Sequence, residues 1–210
     1  MARKNNIAAK NQNDEGISLT DIDFDKFFKK ENKLNHIPIN KLYKERGNNL
    51  VLPGSSIKEE EGMYIFWWNG DLDVFNDKTY ILKGPSGIEK KILIKNNWFK
   101  KATVGKTICL YVGKSSTLHQ RIGQHIKIKN KNRLYKKNEP TTRKPNTESQ
   151  LRYGLERLFP SEENSLKIIL ENVSVSILGK EHTANAIDRF YFEDYLIGKL
   201  KPLLNLDIER

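Results

Sequence analysis

Apolar positions change their period along this chain, and the changes predict its elements. Residues 1–16 are polar, Asn-rich and without periodicity, so they read as a disordered tail. Residues 19–47 read as helical: Thr20 or Asp21 would cap a helix through Phe24, Phe27 and Phe28. His36 and Pro38 interrupt it, and Ile39, Leu42 and Tyr43 begin a second short helix. Leu52-Pro53-Gly54-Ser55-Ser56 reads as a turn, and Lys58 to Glu61 as a charged lead-in. A dense β region follows. Met63 to Trp68 is a strand, closed by the Asn69-Gly70 turn signal. Thr79 to Leu82 and Lys90 to Lys95 flank Gly84-Pro85-Ser86-Gly87 and predict a hairpin with a longer loop. Thr107 to Val112 is another strand, ending at Gly113.

Helical spacing then takes over. Leu118, Ile122 and Ile126 are four apart and predict a helix over 116–127. Thr147 to Phe159 reads as a helix, Val173 to Leu178 as a strand, and Thr183 to Leu200 as an aromatic-rich helix stopped by Pro202. Residues 128–146 are poor in apolar side chains and rich in Lys and Arg, which predicts an exposed basic loop. The fold class expected is α+β: a small, mainly antiparallel sheet flanked by helices, with helical N-terminal decoration and a β insertion.

Composition narrows this picture. Aromatic residues make up 10% of the 210 positions, enough for a packed core. No run of about 18 apolar residues predicts a transmembrane helix. The basic start of the chain is followed by no apolar segment of signal-peptide type. Cys109 is the only cysteine, so neither an intrachain disulfide nor a cysteine-rich zinc site is expected, and a reducing cytoplasm is the natural compartment. The net charge of +11 is unevenly spread. Residues 62–126 carry 10 Lys/Arg against 4 Asp/Glu and residues 127–157 carry 10 against 3, while 158–210 carry 6 against 9. A basic middle suggests a footprint for a polyanion, the alternative being a solvated Lys-rich surface.

Candidate chemistry sits on the ends of these elements. Gly62-Met63-Tyr64, Tyr111-Val112-Gly113-Lys114, Arg121, His125 and Glu193 occur in an order, and on element types, that resemble the GIY-YIG nuclease family. The ending from Glu193 to Asn205 is similar to that of its restriction-type members. The resemblance covers residues 62–68 and 107–205, so 69–106 would be an insertion carrying its own hairpin. It implies a nuclease domain over 62–210, with residues 17–61 a helical extension. It further implies Tyr64, Tyr111, Lys114, Arg121, His125, Glu193 and Asn205 as catalytic residues, with Glu193 holding Mg²⁺ or Mn²⁺. The expected activity is divalent-metal-dependent cleavage of double-stranded DNA by a type II restriction enzyme, with a twofold dimer if the site is palindromic. A homing- or repair-type nuclease, or a non-catalytic nucleic-acid-binding protein, are the alternatives.

The residues support this chemistry on their own terms. Arg121 and His125, four apart, project from one helical face. Arg forks onto phosphate oxygens and His holds or passes a proton. Each alone would more often be a surface salt bridge or a helix-surface residue. Glu193 lies among aromatics, where a carboxylate is costly unless paired or bound to a cation. One carboxylate suffices for a hydrated Mg²⁺; the competing reading is a surface Glu, or one paired with Arg189. Strand tyrosines usually pack, and Tyr64 would act as a base only with a lowered pKa. Asn205 fits a backbone turn or cap as well as the site. Trp67, Trp68 and Trp98 fit packing better than base contact. Phosphate contacts are expected from Lys127, Lys129, Lys131, Arg133, Lys136, Lys137, Arg143 and Lys144 in the loop 127–146.

Overall fold

A computed structural model describes residues 34–46, 49–83, 89–126, 149–159, 165–179 and 185–205. The expected tail, the Phe24–Phe28 helix and the basic loop with its eight cationic side chains lie outside the described residues. The centre is a five-stranded sheet in the order β1 (Ile37–Pro38), β9 (Val173–Leu178), β4 (Gly62–Trp68), β8 (Thr107–Ser115), β7 (Thr103–Val104). Every pairing in it is antiparallel. Two small antiparallel pairs accompany it: β2 (Lys44–Arg46) with β3 (Asn49–Val51), and β5 (Thr79–Lys83) with β6 (Glu89–Leu93). The α+β class and the mainly antiparallel sheet are as expected.

β4 takes the central place because its sequence, GMYIFWW, offers large apolar side chains to both faces, and all seven residues are buried. Tyr64, Phe66 and Trp68 alternate onto one face with Ile108, Tyr111, Val173 and Val175. That face is closed by α3 (Leu118–Ile126), through Leu118 and Ile122, and by α4 (Gln150–Leu158), through Leu151, Leu155 and Leu158. Met63, Ile65 and Trp67 alternate to the other face. There α6 (Ala186–Leu200) packs on β8 and β4, burying Phe192, Leu196 and Leu200 at a four-residue spacing. Trp67 and Trp68 are buried; the indole of Trp67 donates to Ser176 Oγ and that of Trp68 to the Asp71 carbonyl. The Trp98 indole donates to the Lys201 carbonyl, so all three tryptophans have structural partners.

The chain after α6 reverses at Lys201, whose φ of 48° is left-handed, and then runs along β8. Leu203 N–H donates to the Cys109 carbonyl at 3.1 Å and Leu204 N–H to that of Leu110 at 2.8 Å. Pro202 therefore ends the helix where the sequence places the stop. Several elements were not expected, among them the short strands β1, β2, β3 and β7. α1 (Ile39–Leu42) ends before Lys44–Arg46, which forms β2 rather than continuing a helix to residue 47. α2 (Asn96–Ala102) follows the hairpin, and α5 (Ser165–Asn172) precedes β9. Among the described residues no helix is long and apolar enough to cross a membrane.

Candidate active site

Tyr64 and Gly113 face each other across the β4–β8 ladder. A Cβ at residue 113 would lie 2.4 Å from Tyr64 Oη and 2.5 Å from Tyr64 Cζ, so the ring occupies space that only glycine leaves. Gly62 has the same kind of role at the strand start, where a Cβ would meet the Leu178 carbonyl at 2.2 Å. Both glycines of the two sequence triplets are thus steric requirements of this site. The Tyr64 and Tyr111 rings stack with centroids 6.2 Å apart and an angle of 25°. Each ring centroid lies 5.2 Å from that of His125.

His125 is fully buried, not a helix-surface residue. Its Nε2 is 2.7 Å from Tyr64 Oη, and its Nδ1 is 2.8 Å from Ser149 Oγ. Ser149 caps α4, its Oγ accepting the Arg152 N–H at 3.1 Å. A connected row of polar atoms therefore runs from the phenol through the imidazole to a helix cap. Neither Ser149 nor Arg152 was singled out in the sequence. The signal was a capping residue at the start of a predicted helix, but no local pattern ties it to a histidine 24 positions earlier.

The electrostatics correct one expectation. Burial pushes the Tyr64 hydroxyl well above the ordinary tyrosine value, Tyr111 adds to this, and the Arg121 guanidinium opposes it without prevailing. Tyr111 is raised for the same leading reason. In the protein alone, desolvation outweighs the Arg121 guanidinium, so the fold by itself does not supply the lowered phenol that a free tyrosinate base requires. Burial, with Arg121 and Arg152 adding repulsion, pushes His125 down to about 3. At neutral pH the pair is a neutral phenol against a neutral imidazole.

Arg121 stands one turn before His125, half-exposed, with Nη1 donating to Gln124 Oε1 at 3.2 Å. Burial works against its charge, but its interactions with Tyr64 and Tyr111 outweigh that and leave its pKa raised. Lys114, next after Gly113, alternates to the opposite face of β8. Its ammonium pairs there with Glu193 of α6 and lies 4.6 Å from the Phe190 ring centroid. The Arg189 alternative for Glu193 fails, since Arg189 pairs with Glu61 at 2.7 Å. The two halves of the site thus lie on the two faces of one strand end, and the Glu193 charge still reaches both tyrosines. Asn205 serves the backbone. Its Oδ1 accepts the Val112 N–H at 2.7 Å and its Nδ2 donates to the Val112 carbonyl at 2.6 Å, which fixes the strand just before Gly113.

Among the described residues no group of three or more His, Cys, Asp or Glu converges on one point. Zinc of the all-protein kind needs such a set. A hydrated Mg²⁺ takes one or two carboxylates and keeps several waters, and a part-exposed Glu193 with one oxygen on an ammonium fits that requirement. No family model, curated protein or solved structure matches the chain.

Proposed function

We propose that this chain hydrolyses DNA phosphodiesters with the help of a divalent cation. The observation that carries the reading is the Tyr64 hydroxyl 2.7 Å from His125 Nε2, seated over Gly113 beside Arg121. With the imidazole proton on Nδ1, directed at Ser149, Nε2 accepts the phenol hydrogen and leaves a Tyr64 lone pair for a water proton. The water proton would pass to Tyr64 Oη as the phenol hydrogen moves to His125 Nε2, so no free tyrosinate is needed; the transient imidazolium, disfavoured by burial, would have to be stabilised by the negative charge developing on the phosphate. Arg121 supplies forked donors to phosphate oxygens as charge develops on them. Glu193 would hold a hydrated Mg²⁺ or Mn²⁺, which supplies charge neutralisation at the phosphate and the leaving oxygen. Lys114 is a second cation at the same strand end. The net charge of +11 suits a polyanionic substrate.

A type II restriction role is the finer form of the proposal, with a twofold dimer on a palindromic site. The near-complete burial of Tyr64 and His125 favours one competing reading, in which the pair is a satisfied core contact in a nucleic-acid-binding protein. Incubation of the full chain with mixed double-stranded DNA and Mg²⁺, followed by mapping of the ends, separates the two. Discrete ends that vanish in excess chelator support hydrolysis. Binding without any cut, over a range of Mg²⁺ and Mn²⁺, contradicts it.

A further inference from the structure

Residues 78–106 hold eight lysines and one acidic residue, Glu89; they are the larger part of the segment 69–106 inserted between the two central strands β4 and β8, whose first part carries Asp71, Asp73 and Asp77. Its hairpin β5–β6 is two-faced. Tyr80 and Ile94 are buried in the core, and β5 packs on α4. Thr79, Lys91 and Leu93 are exposed, Leu93 at 43% although it is apolar. The turn into α2 and the helix itself add exposed Lys95, Lys100 and Lys101. Exposed Lys91, Lys95, Lys100 and Lys101 thus accompany the exposed apolar Leu93. The B-DNA major groove admits a two-stranded antiparallel ribbon.

Resting on the nuclease reading, we infer that the outward face of β5–β6, with α2, is a duplex-DNA contact that docks beside the cut site. Its placement follows from the anchoring bonds. Tyr80 Oη donates to the Leu203 carbonyl at 2.9 Å, and Leu203 N–H donates to the Cys109 carbonyl. Cys109 is four residues before Gly113 on β8, a separation of about 13 Å at strand rise. The ribbon is therefore tied to the strand that ends in Gly113, and in the inferred contact Lys91, Lys100 and Lys101 reach phosphates while Leu93 faces base edges.

The test compares two triple variants of the full chain with equal charge loss. One is Lys91→Gln, Lys100→Gln and Lys101→Gln; the other is Lys41→Gln, Lys44→Gln and Lys58→Gln, all exposed and remote in sequence from the insertion. Binding to a 40-base-pair random-sequence duplex is titrated across salt, with melting as a folding control. Each lost phosphate contact lowers the slope of log affinity against log salt by about 0.9, so the first triple should lose roughly two to three units and the second under about one. On a duplex carrying the mapped cut site, base-methylation interference should appear beside the cut for wild type and fade for the first triple. Equal slopes for the two triples overturn the inference while leaving the nuclease reading intact. A wild-type protein that neither binds nor cuts DNA overturns both.

Discussion

Replacing Gly113 by alanine tests the close approach on which the site is built. The added Cβ would stand 2.4 Å from Tyr64 Oη, and ordinary contact needs about 3.5 Å, so the hydroxyl must move by roughly 1 Å. A hydroxyl 2.7 Å from His125 Nε2 cannot move that far and stay bonded. Two costs follow: overpacking of about 1–3 kcal/mol, and a buried hydrogen bond lost at about 1–3 kcal/mol. Their sum, about 2–6 kcal/mol, lowers Tm by roughly 4–24 °C in a chain of this size. Gly113→Ala is to be melted alone and in a Tyr64→Leu background, where no ring is left to clash. In that background its cost should fall below about 1 kcal/mol, the remainder reflecting Tyr111 Cε1 at 2.9 Å. Equal costs in the two backgrounds, or no shift in either, would refute the steric argument.

Arg121→Lys keeps a charge but loses the fork, and single-turnover cleavage should slow by about a hundredfold with little loss of DNA binding; near-normal turnover would make Arg121 a surface residue. Glu193→Gln should bind DNA but not cut it; full cutting by this variant, or by wild type in excess chelator, would end the metal role. Acid sensitivity follows from His125. Its folded pKa is depressed, so the unfolded state binds the extra proton first, and stability present above pH 6.5 is lost as pH falls toward about 3. Urea melts should fall by up to about 1.4 kcal/mol per pH unit across that window, and His125→Gln should flatten the slope.

The strands and main helices were legible because each buries a face that the sequence writes at its own period: GMYIFWW for a doubly covered strand, Leu118 and Ile122 for a helix. The elements that escaped lack that signal. Asn96–Ala102 opens on two asparagines without a side-chain cap, and Lys44–Arg46 with Asn49–Val51 is a six-residue pairing of mostly polar positions. Within the site, residue types and order were readable, whereas environment was not. The depth of Tyr64 and His125, the capture of Glu193 by Lys114 rather than Arg189, and the pairing of Asn205 with Val112 all depend on long-range packing. The direction of the Tyr64 pKa was unreadable for the same reason: sequence counts nearby cations, but desolvation is set by the fold.

The central claim is that the Tyr64 hydroxyl passes a proton through His125 during cleavage. Single-turnover cutting by wild type and Tyr64→Phe, from roughly pH 6 to 10 with melting and binding controls, tests it most directly. The change removes one atom and keeps the buried ring, so folding and DNA binding should survive while cutting slows by about a hundredfold to ten-thousandfold. The wild-type profile should lack any tyrosinate ionisation in that range, because burial raises the phenol. Wild-type rates from Tyr64→Phe would contradict the claim and leave Tyr64 as a packing residue.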